Sequence, residues 1–264
     1  MKKTMRRRLL IPVFLACLSV LYVRSQPAAE EKDRVASLEK ALRECQVFSI
    51  KEDEPGRTSP WAITFAEGCA VKRALFRYVD RPRPQPMADS YKYDIAAYEL
   101  IKLLGVEMIP PVVEREIKGR KGTLQVFLEN CIREKDRRRK KLEPPNPKAF
   151  SNALEEVKVL ENLTHDECQD ADHTYVHRVY WRVCRVDFSE AFAPMSDLMP
   201  GCNITVCSRK FYEGLLKLDE ETVKSTLRRY LSDEEIGALL IRRSLLVEKI
   251  KTLIAEKGEE AVLY

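Results

Sequence analysis

The clearest hydrophobic pattern in the chain lies between residues 89 and 129. From Ser90 to Gly105, apolar side chains recur every three or four positions, which predicts one amphipathic helix. Ser90 is a typical N-cap, and Gly105 is a typical left-handed stop after the last helical residue. We therefore expect a single helix over residues 91–104.

A β-hairpin is predicted directly after this helix. Pro110 and Pro111 exclude a helical continuation. Residues 112–117 are rich in β-branched side chains, and the apolar Leu124, Val126 and Leu128 recur at every second position. Because a hairpin buries only one of its faces, it must continue a sheet supplied by earlier residues, with the preceding helix packed across that sheet.

Other segments extend this pattern to an α+β protein. Trp61–Phe65 and Arg73–Tyr78 have the composition of strands and supply the earlier part of the sheet. Downstream, Asn146 and Pro147 open a second helix, and Ser232 begins a capping box at the start of a long one. The predicted fold is a small antiparallel sheet with one helix, followed by a mostly helical half.

Composition divides the 264 residues into five regions. With 45% hydrophobic residues, the chain can bury one bilobal domain or two small ones. After Cys131 the composition becomes basic and rich in proline, which favours a hinge or a solvated loop, with phosphate binding as the alternative. The predicted regions are a signal peptide or N-terminal membrane anchor (1–25), a helical segment and linker (26–60), an N-lobe with the sheet and helix 91–104 (61–131), a hinge or basic loop (132–146) and a helical C-lobe (147–264).

The N-terminal residues have the pattern of an export signal. A basic run from Lys2 to Arg8 precedes fifteen largely apolar residues, Leu9 to Val23, and polar residues follow. We expect an extracytoplasmic protein that is secreted, periplasmic or membrane-anchored, with membrane contact through this segment alone. The segment to Arg24 holds six positive charges, and without them the net charge of +5 becomes −1. Nucleic-acid binding is therefore not expected.

The cysteines give a weaker signal. Seven of the eight lie beyond the N-terminal segment, and they are scattered along the chain. In an oxidising compartment, Cys202 and Cys207 are the pair expected to form a disulfide because only four residues separate them. The other cysteines are expected to be free and buried.

Several stretches resemble a group of exported bacterial proteins with an atypical kinase fold. The similar stretches, within residues 61–253, read DIAAYELIKLLGVEMIPPVVEREIKGRKGTLQVF, PPNPKAF, VLENL and WRVCRVDFSEAF. That group is distantly similar to HipA-type, secretory-pathway and phosphatidylinositol kinases. The resemblance implies a bilobal protein-kinase-like fold, with a small antiparallel-sheet N-lobe and a mostly helical C-lobe, and it implies ATP and magnesium as cofactors.

The resemblance also implies roles for particular residues. In such kinases a lysine holds the nucleotide phosphates, a helix carboxylate pairs with that lysine, and an aspartate binds the metal ion. Here Arg77 stands at the lysine position, Asp94 at the helix carboxylate and Asp187 at the metal-binding aspartate. An ungapped count onward from the ENL motif puts Cys168 at the catalytic aspartate and His173 at a metal-binding asparagine.

These substitutions predict weak or absent catalysis. The thiol of Cys168 does not replace a catalytic carboxylate near neutral pH. We therefore expect a degenerate, non-catalytic kinase-like domain in which use of ATP and magnesium is weak or lost, and whose partner or substrate is an unknown protein. The alternative is an active ATP-dependent kinase with a rearranged loop, in which Asp166, Asp170 or Asp172 takes the place of Cys168.

A metal-binding module is a further alternative. The three histidines of the chain, His165, His173 and His177, lie within thirteen residues of one another, together with Cys168. Imidazole and thiolate groups are natural ligands of zinc. The spacing matches no standard zinc finger, so a polar loop without a metal is the simpler interpretation.

The N-terminal pattern gives a direct test. A chain that begins near Ala28 should unfold as cooperatively as the full chain, because the first 23 residues are expected to pack against nothing in the domain. Thermal unfolding of both chains, followed by circular dichroism, checks this expectation. Loss of cooperative unfolding in the shortened chain would show that the segment is structural.

Overall fold

The computed structural model describes residues 28–52, 58–84 and 88–264. The predicted signal or anchor, residues 1–25, lies outside these ranges. None of the helices within them has an apolar stretch of the length that a bilayer requires. In chain order the elements are α1 (Ala28–Glu44), β1 (Val47–Lys51), β2 (Trp61–Phe65), β3 (Arg73–Arg77), β4 (Asp80–Arg81), β5 (Asp89–Ser90), α2 (Tyr91–Leu104), β6 (Val112–Ile117), β7 (Arg120–Val126), β8 (Cys131–Arg133), α3 (Glu134–Arg139), α4 (Pro147–Thr164), β9 (Thr174–His177), β10 (Val183–Arg185), α5 (Arg209–Lys217), α6 (Glu220–Leu227), α7 (Asp233–Lys257) and α8 (Glu259–Val262).

A five-stranded antiparallel sheet, in the order β1, β2, β3, β7, β6, forms the first half of the fold. The predicted strands are present as β2 and β3, and the predicted hairpin as β6 and β7, whereas β1 was not predicted. The central strand β3 ends at Arg77, opposite Thr123 of β7. A Cβ atom on Gly122 would lie 2.2 Å from the carbonyl oxygen of Arg77. Glycine at this position therefore lets β7 lie close to the end of β3.

Helix α2 begins and ends where the sequence predicts. The Ser90 hydroxyl accepts a hydrogen bond from the Lys92 N–H, and Gly105 has a left-handed φ of 71°. The helix is buried on almost every side rather than along one stripe, because it packs on β6 and β7 and also against α5 and α6. At the contact with α5, a Cβ atom on Gly214 would lie 2.4 Å from the Leu104 carbonyl oxygen. Helix α2 thus joins the sheet to the helical half.

A second sheet has the strand order β10, β9, β8 and was not predicted. Its strands are 3 or 4 residues long, which is too short for a clear alternation of apolar and polar positions. Most of β8 and all of α3 lie in the segment 132–146, where composition indicated a hinge. The β9–β10 hairpin brings the loop before β9 beside the residues after β10, and the Val186 N–H donates to the His173 carbonyl.

The helical half has the predicted start points. Asn146 accepts the Ala149 N–H through its side chain, and Ser232 with Glu235 makes both hydrogen bonds of a capping box. Buried side chains of helices α4 to α8 share one hydrophobic core with α2. The predicted α+β class, with an antiparallel-sheet part and a mostly helical part, is confirmed.

The disulfide expected from the sequence is wrong. Within the described ranges the disulfides are Cys45–Cys69 and Cys168–Cys202, and Cys207 is a buried free thiol. Cys207 forms a parallel β-bridge with the C-terminal segment in the core, while the loop after α4 carries Cys168 to Cys202. Tertiary structure, and not sequence proximity, brings two cysteines to bonding distance.

Truncation at α2 should separate core from surface positions. Ile95→Ala and Leu104→Ala should each lower the free energy of unfolding by about 2 to 5 kcal/mol, because both side chains are buried in the main core. Glu99→Ala should change it by less than about 0.5 kcal/mol, since Glu99 makes a surface ion pair with Lys102. Urea unfolding measures all three variants. Equal losses at buried and surface positions would contradict this phase of the helix.

Candidate functional site

Arg77, Asp94 and Asp187 meet where β3, α2 and the residues after β10 come together. Arg77 Nη1 lies 3.8 Å from Asp94 Oδ2, and Arg77 Nη2 lies 3.6 Å from Asp187 Oδ2. Arg77 Nη1 also donates to Gln125 Oε1 of β7 at 3.2 Å. Its guanidinium is largely buried, so the ion pairs are weakly screened by solvent. The structure places side by side three residues to which the resemblance gave related roles, and these roles stay predictions. Gln125 carried no signal in the sequence.

The two carboxylates of this cluster differ in environment. Asp94 Oδ1 accepts the Phe188 N–H at 2.8 Å, while Asp94 Oδ2 is buried without a hydrogen bond. Burial raises the pKa of Asp94 to about 6, although Arg77 opposes that rise. Burial also opposes ionisation of Asp187, but Arg77 and His173 outweigh it and hold the pKa of Asp187 below its usual value. Asp187 is therefore the more acidic carboxyl of the pair, and its side chain is 25% exposed.

Backbone geometry sets Asp187 apart from its neighbours. Its φ is 63°, in the left-handed region that non-glycine residues seldom occupy. Such residues persist only where the surrounding structure holds them, and they are frequent at functional sites. The conformation supports a special role for Asp187.

A second charge cluster is centred on Arg185 of β10, whose side chain is buried. The loop of residues 165–173, called the aspartate loop below, supplies two of its partners: Arg185 Nη2 lies 2.6 Å from Asp166 Oδ2 and 3.1 Å from Asp170 Oδ2. The third partner is Glu161 of α4, 3.3 Å from Arg185 Nε. One guanidinium cannot neutralise three carboxylates. Burial raises the pKa of Glu161 to about 7 and that of Asp166 to about 6, and Arg185 offsets this rise only in part.

Asp170 and His173 connect the two clusters. Asp170 Oδ1 accepts the N–H groups of Asp172 and His173, and Asp170 Oδ2 lies 2.5 Å from His173 Nδ1. Burial opposes ionisation of Asp170, but His173 and Arg185 lower its pKa to about 2. The bond to Asp170 raises the pKa of His173, whose Nε2 lies 3.6 Å from Asp187 Oδ2. His173 thus lies beside Asp187, and its place at a metal-binding asparagine position stays a prediction.

Cys168, which the ungapped count put at the catalytic aspartate, lies in a disulfide. Its sulfur is bonded to Cys202, so it is neither a free thiol nor a metal ligand. Asp166 and Asp170, which the sequence offered as substitutes for Cys168, both pair with Arg185. Glu161 and Arg185 were missed as site residues, although both lie in the ENL and RVDF stretches that carried the resemblance.

The zinc hypothesis is wrong for the proposed ligands. Cys168 is in a disulfide, and His177 Nδ1 accepts the backbone N–H groups of Val179 and Tyr180. In the part of the chain that the structure describes, the one close group of metal-type ligands is Glu161 with Cys168 and Cys202, and both of its sulfurs belong to the same disulfide. No set of three ligands from His165, Cys168, His173 and His177 is assembled there.

The fold is similar to that of solved kinases. Hydra Fam20 with sugar aligns with a TM-score of 0.64 and 14% identity, over 92% of this chain and 93% of that chain. The Golgi casein kinase aligns with a TM-score of 0.61 and 14% identity, over 88% and 79% of the two chains. The Helicobacter pylori proinflammatory kinase CtkA aligns with a TM-score of 0.53 and 10% identity, over 83% and 98%. No family model matches the sequence, and no curated protein sequence matches it significantly.

These similarities confirm the predicted atypical kinase-like fold. The antiparallel sheet with α2 and the mostly helical half correspond to the two lobes that the resemblance implied. Identities of 10% to 14% show the fold alone. The Golgi casein kinase has also been solved with Mn and ADP bound, which is a property of that protein.

The residues present fit a magnesium ion poorly. Magnesium takes oxygen ligands and is commonly held by one or two carboxylates together with substrate phosphates. The groups 3.6 Å from Asp187 Oδ2 are the cationic Arg77 and His173, whose pKa is raised. Asp94 Oδ2 has no hydrogen bond but is buried against the same guanidinium. A second cation at this position would be repelled unless Arg77 moved away.

Glu161 and Asp166 should make stability fall as pH rises. Their pKa values are raised in the folded chain to about 7 and about 6. Between their ordinary values, of about 4, and these values, the folded chain binds more protons than the unfolded chain, so the free energy of unfolding decreases with increasing pH. Urea unfolding at several pH values from about 5 to about 8 measures this dependence. The double variant Glu161→Gln with Asp166→Asn should show a flatter profile than the wild type.

The exposed Asp172→Asn provides the matched control for that pH profile. Its side chain is 44% exposed and pairs with Lys135 at the surface, so the substitution should leave the slope of stability against pH unchanged. The same slope in the wild type and in the double variant would contradict the assignment of raised pKa values to these carboxyls.

Proposed function

We propose that this chain is an extracytoplasmic kinase-like domain in which nucleotide-dependent phosphoryl transfer is weakened or lost. The observation that carries the proposal is the binding of both buried loop carboxylates, Asp166 and Asp170, by Arg185. Phosphoryl transfer needs a carboxylate that orients the attacking hydroxyl and accepts its proton. Asp170 also binds His173, and its pKa of about 2 makes it a poor proton acceptor.

The environment of Asp187 supports the same proposal. This carboxylate stands at the position where the resemblance implies a metal ligand, and it lies between Arg77 and His173. Arg77 replaces the compact ammonium of lysine by a wider guanidinium that two carboxylates already engage. A nucleotide with its metal ion would have to displace these contacts, so binding of ATP and magnesium is expected to be weak.

An active kinase with a rearranged loop is the second candidate. One observation favours it: Asp187 is partly exposed in a left-handed conformation, as is common for residues that act on a ligand. In that case Asp166 or Asp170 would have to leave Arg185 when substrate binds. The two candidates therefore differ in whether transfer occurs and whether it depends on the aspartate loop.

Two disulfides support the extracytoplasmic location. Disulfides persist in oxidising compartments and are rare in the cytosol, and both Cys45–Cys69 and Cys168–Cys202 are formed here. The export pattern of residues 1–25 points the same way. A domain that has lost phosphoryl transfer in this location would act by binding a protein partner, which is the role we propose.

Nucleotide binding and transfer test the proposal together. Titration calorimetry of the full chain with ATP and magnesium should show weak or undetectable binding, and a radiolabelled transfer assay should show negligible activity. Asp187→Ala should abolish any residual magnesium-dependent binding, because it removes the more accessible carboxylate of the cluster. Glu248→Gln, on α7 and paired at the surface with Lys251, should leave that residual binding unchanged.

The second candidate predicts the opposite result. Robust phosphoryl transfer by the unmodified chain that is lost in Asp170→Asn or Asp166→Asn would overturn the proposal of weakened or lost transfer. It would establish an active kinase with a rearranged loop. Circular dichroism of each variant must match the wild type, because both aspartates also pair with the buried Arg185.

A further inference from the structure

The Cys168–Cys202 disulfide ties the aspartate loop to the chain segment before α5. The two Cα atoms are 5.8 Å apart and the cysteines are separated by 34 positions in sequence. Cys202 is buried, whereas Cys168 is only half-buried. Cys168 is therefore the more exposed cysteine of the pair and the one at which we expect a thiol from solution to attack, with Cys202 as the leaving group.

Glu161 links this disulfide to the candidate site. One of its carboxylate oxygens lies within 4.8 Å of the sulfur atoms of Cys168 and Cys202. The same carboxylate accepts the Gln169 N–H at 2.8 Å and contacts Arg185 Nε at 3.3 Å. A movement of the disulfide would therefore disturb the carboxylate that holds both the loop backbone and the buried guanidinium.

The backbone beside Cys168 is held in uncommon conformations. His165 has a φ of 48° and Gln169 a φ of 57°, both in the left-handed region. Non-glycine residues keep such conformations only when surrounding contacts impose them. The covalent bond at Cys168 lies between these two residues, so its opening removes one of the restraints that maintain them.

The charges of the loop connect it to the candidate site. Asp166 and Asp170 both lie against Arg185 Nη2, at 2.6 Å and 3.1 Å, and they repel each other in a buried setting. The bond between Asp170 and His173 then connects any loop movement to Asp187. The loop is thus a restrained element whose position determines the arrangement of the candidate site.

We propose that Cys168–Cys202 is a redox-sensitive restraint on the aspartate loop, opened by a protein dithiol, which controls the arrangement of Asp170 and His173 at the candidate site. The control of nucleotide binding rests on the proposed function, whereas the release of the loop does not. A thiolate of the dithiol attacks the Cys168 sulfur, the disulfide breaks, and Cys202 leaves as a thiolate that takes up a proton. The second thiol then attacks the mixed disulfide, so Cys168 is released as a thiol, the dithiol becomes a disulfide, and two electrons pass to the chain.

Amide hydrogen exchange of the full chain, with and without dithiothreitol, tests the release of the loop. The background is Cys45→Ser with Cys69→Ser, in which Cys168–Cys202 is the remaining disulfide of the described residues. Reduction should speed exchange at Gln169, Asp170, Asp172 and His173 by at least about tenfold, because their N–H groups are bonded to Glu161 and Asp170. The Cys168→Ser, Cys202→Ser variant of the full chain should show the fast exchange without reductant.

The controls separate loop release from general loosening. Exchange in β2 and β3 of the other lobe should stay within about twofold on reduction, because Cys45–Cys69 is absent throughout the measurement. Unchanged exchange in the aspartate loop after complete reduction, verified by thiol alkylation and mass spectrometry, would overturn the proposal. Equal acceleration of amide exchange in the loop and in β2 and β3 would also overturn it, since the disulfide would then stabilise the whole fold and not the loop in particular.

Nucleotide titration distinguishes this proposal from the proposed function. ADP with magnesium, titrated into the oxidised and reduced full chain, should bind with affinities that differ by at least about threefold. Equal and measurable affinities in the two redox states would overturn the control of the site. Absence of binding in both states would overturn the control of nucleotide binding while agreeing with the proposed function, and the exchange result would still decide whether the disulfide restrains the loop.

Discussion

Arg185 has no exposed surface and lies between α4, the aspartate loop and the β9–β10 hairpin. A guanidinium in such a place must be paired, because an unpaired buried charge is strongly unfavourable. Its partners come from two separate segments, Glu161 on α4 and the aspartates on the loop. The position of the loop, and with it that of His173, follows from this single requirement. Glu161 adds a second tie by accepting backbone N–H groups of the same loop.

The need to pair a buried guanidinium also applies at Arg77, and the two parts of the candidate site meet it with different carboxylates. At the end of β3, Arg77 pairs with Asp94 and Asp187, the residues to which the proposed function gives the roles of phosphate-holding cation and carboxylate partners. On the aspartate loop, Asp166 and Asp170 pair with Arg185, and Asp170 also binds His173. The fold itself rests on the core shared by α2 and the helical half, so it does not depend on whether the loop carboxylates are free.

Local sequence signals determined the elements whose ends and faces depend on neighbouring residues. Ser90 and Gly105 fixed the ends of α2, and Ser232 fixed the start of α7, because caps act through hydrogen bonds within one or two turns. The short strands β8 to β10 escaped prediction because three or four residues are too few to show a period. The burial of α2 on both sides also escaped, since its second layer is supplied by α5 and α6, far along the chain.

The candidate site shows the same division. The sequence by itself, through short motifs, brought Arg77, Asp94, Asp187 and His173 into one hypothesis, and it supplied the α+β architecture with its sheet and capped helices. Only the tertiary structure decided that Cys168 bonds Cys202, and that Arg185 gathers carboxylates from separate segments. Disulfide pairing and the charge balance of a buried site depend on which groups meet in space and on how far water is excluded. The spacing of residues along the chain determines neither of these.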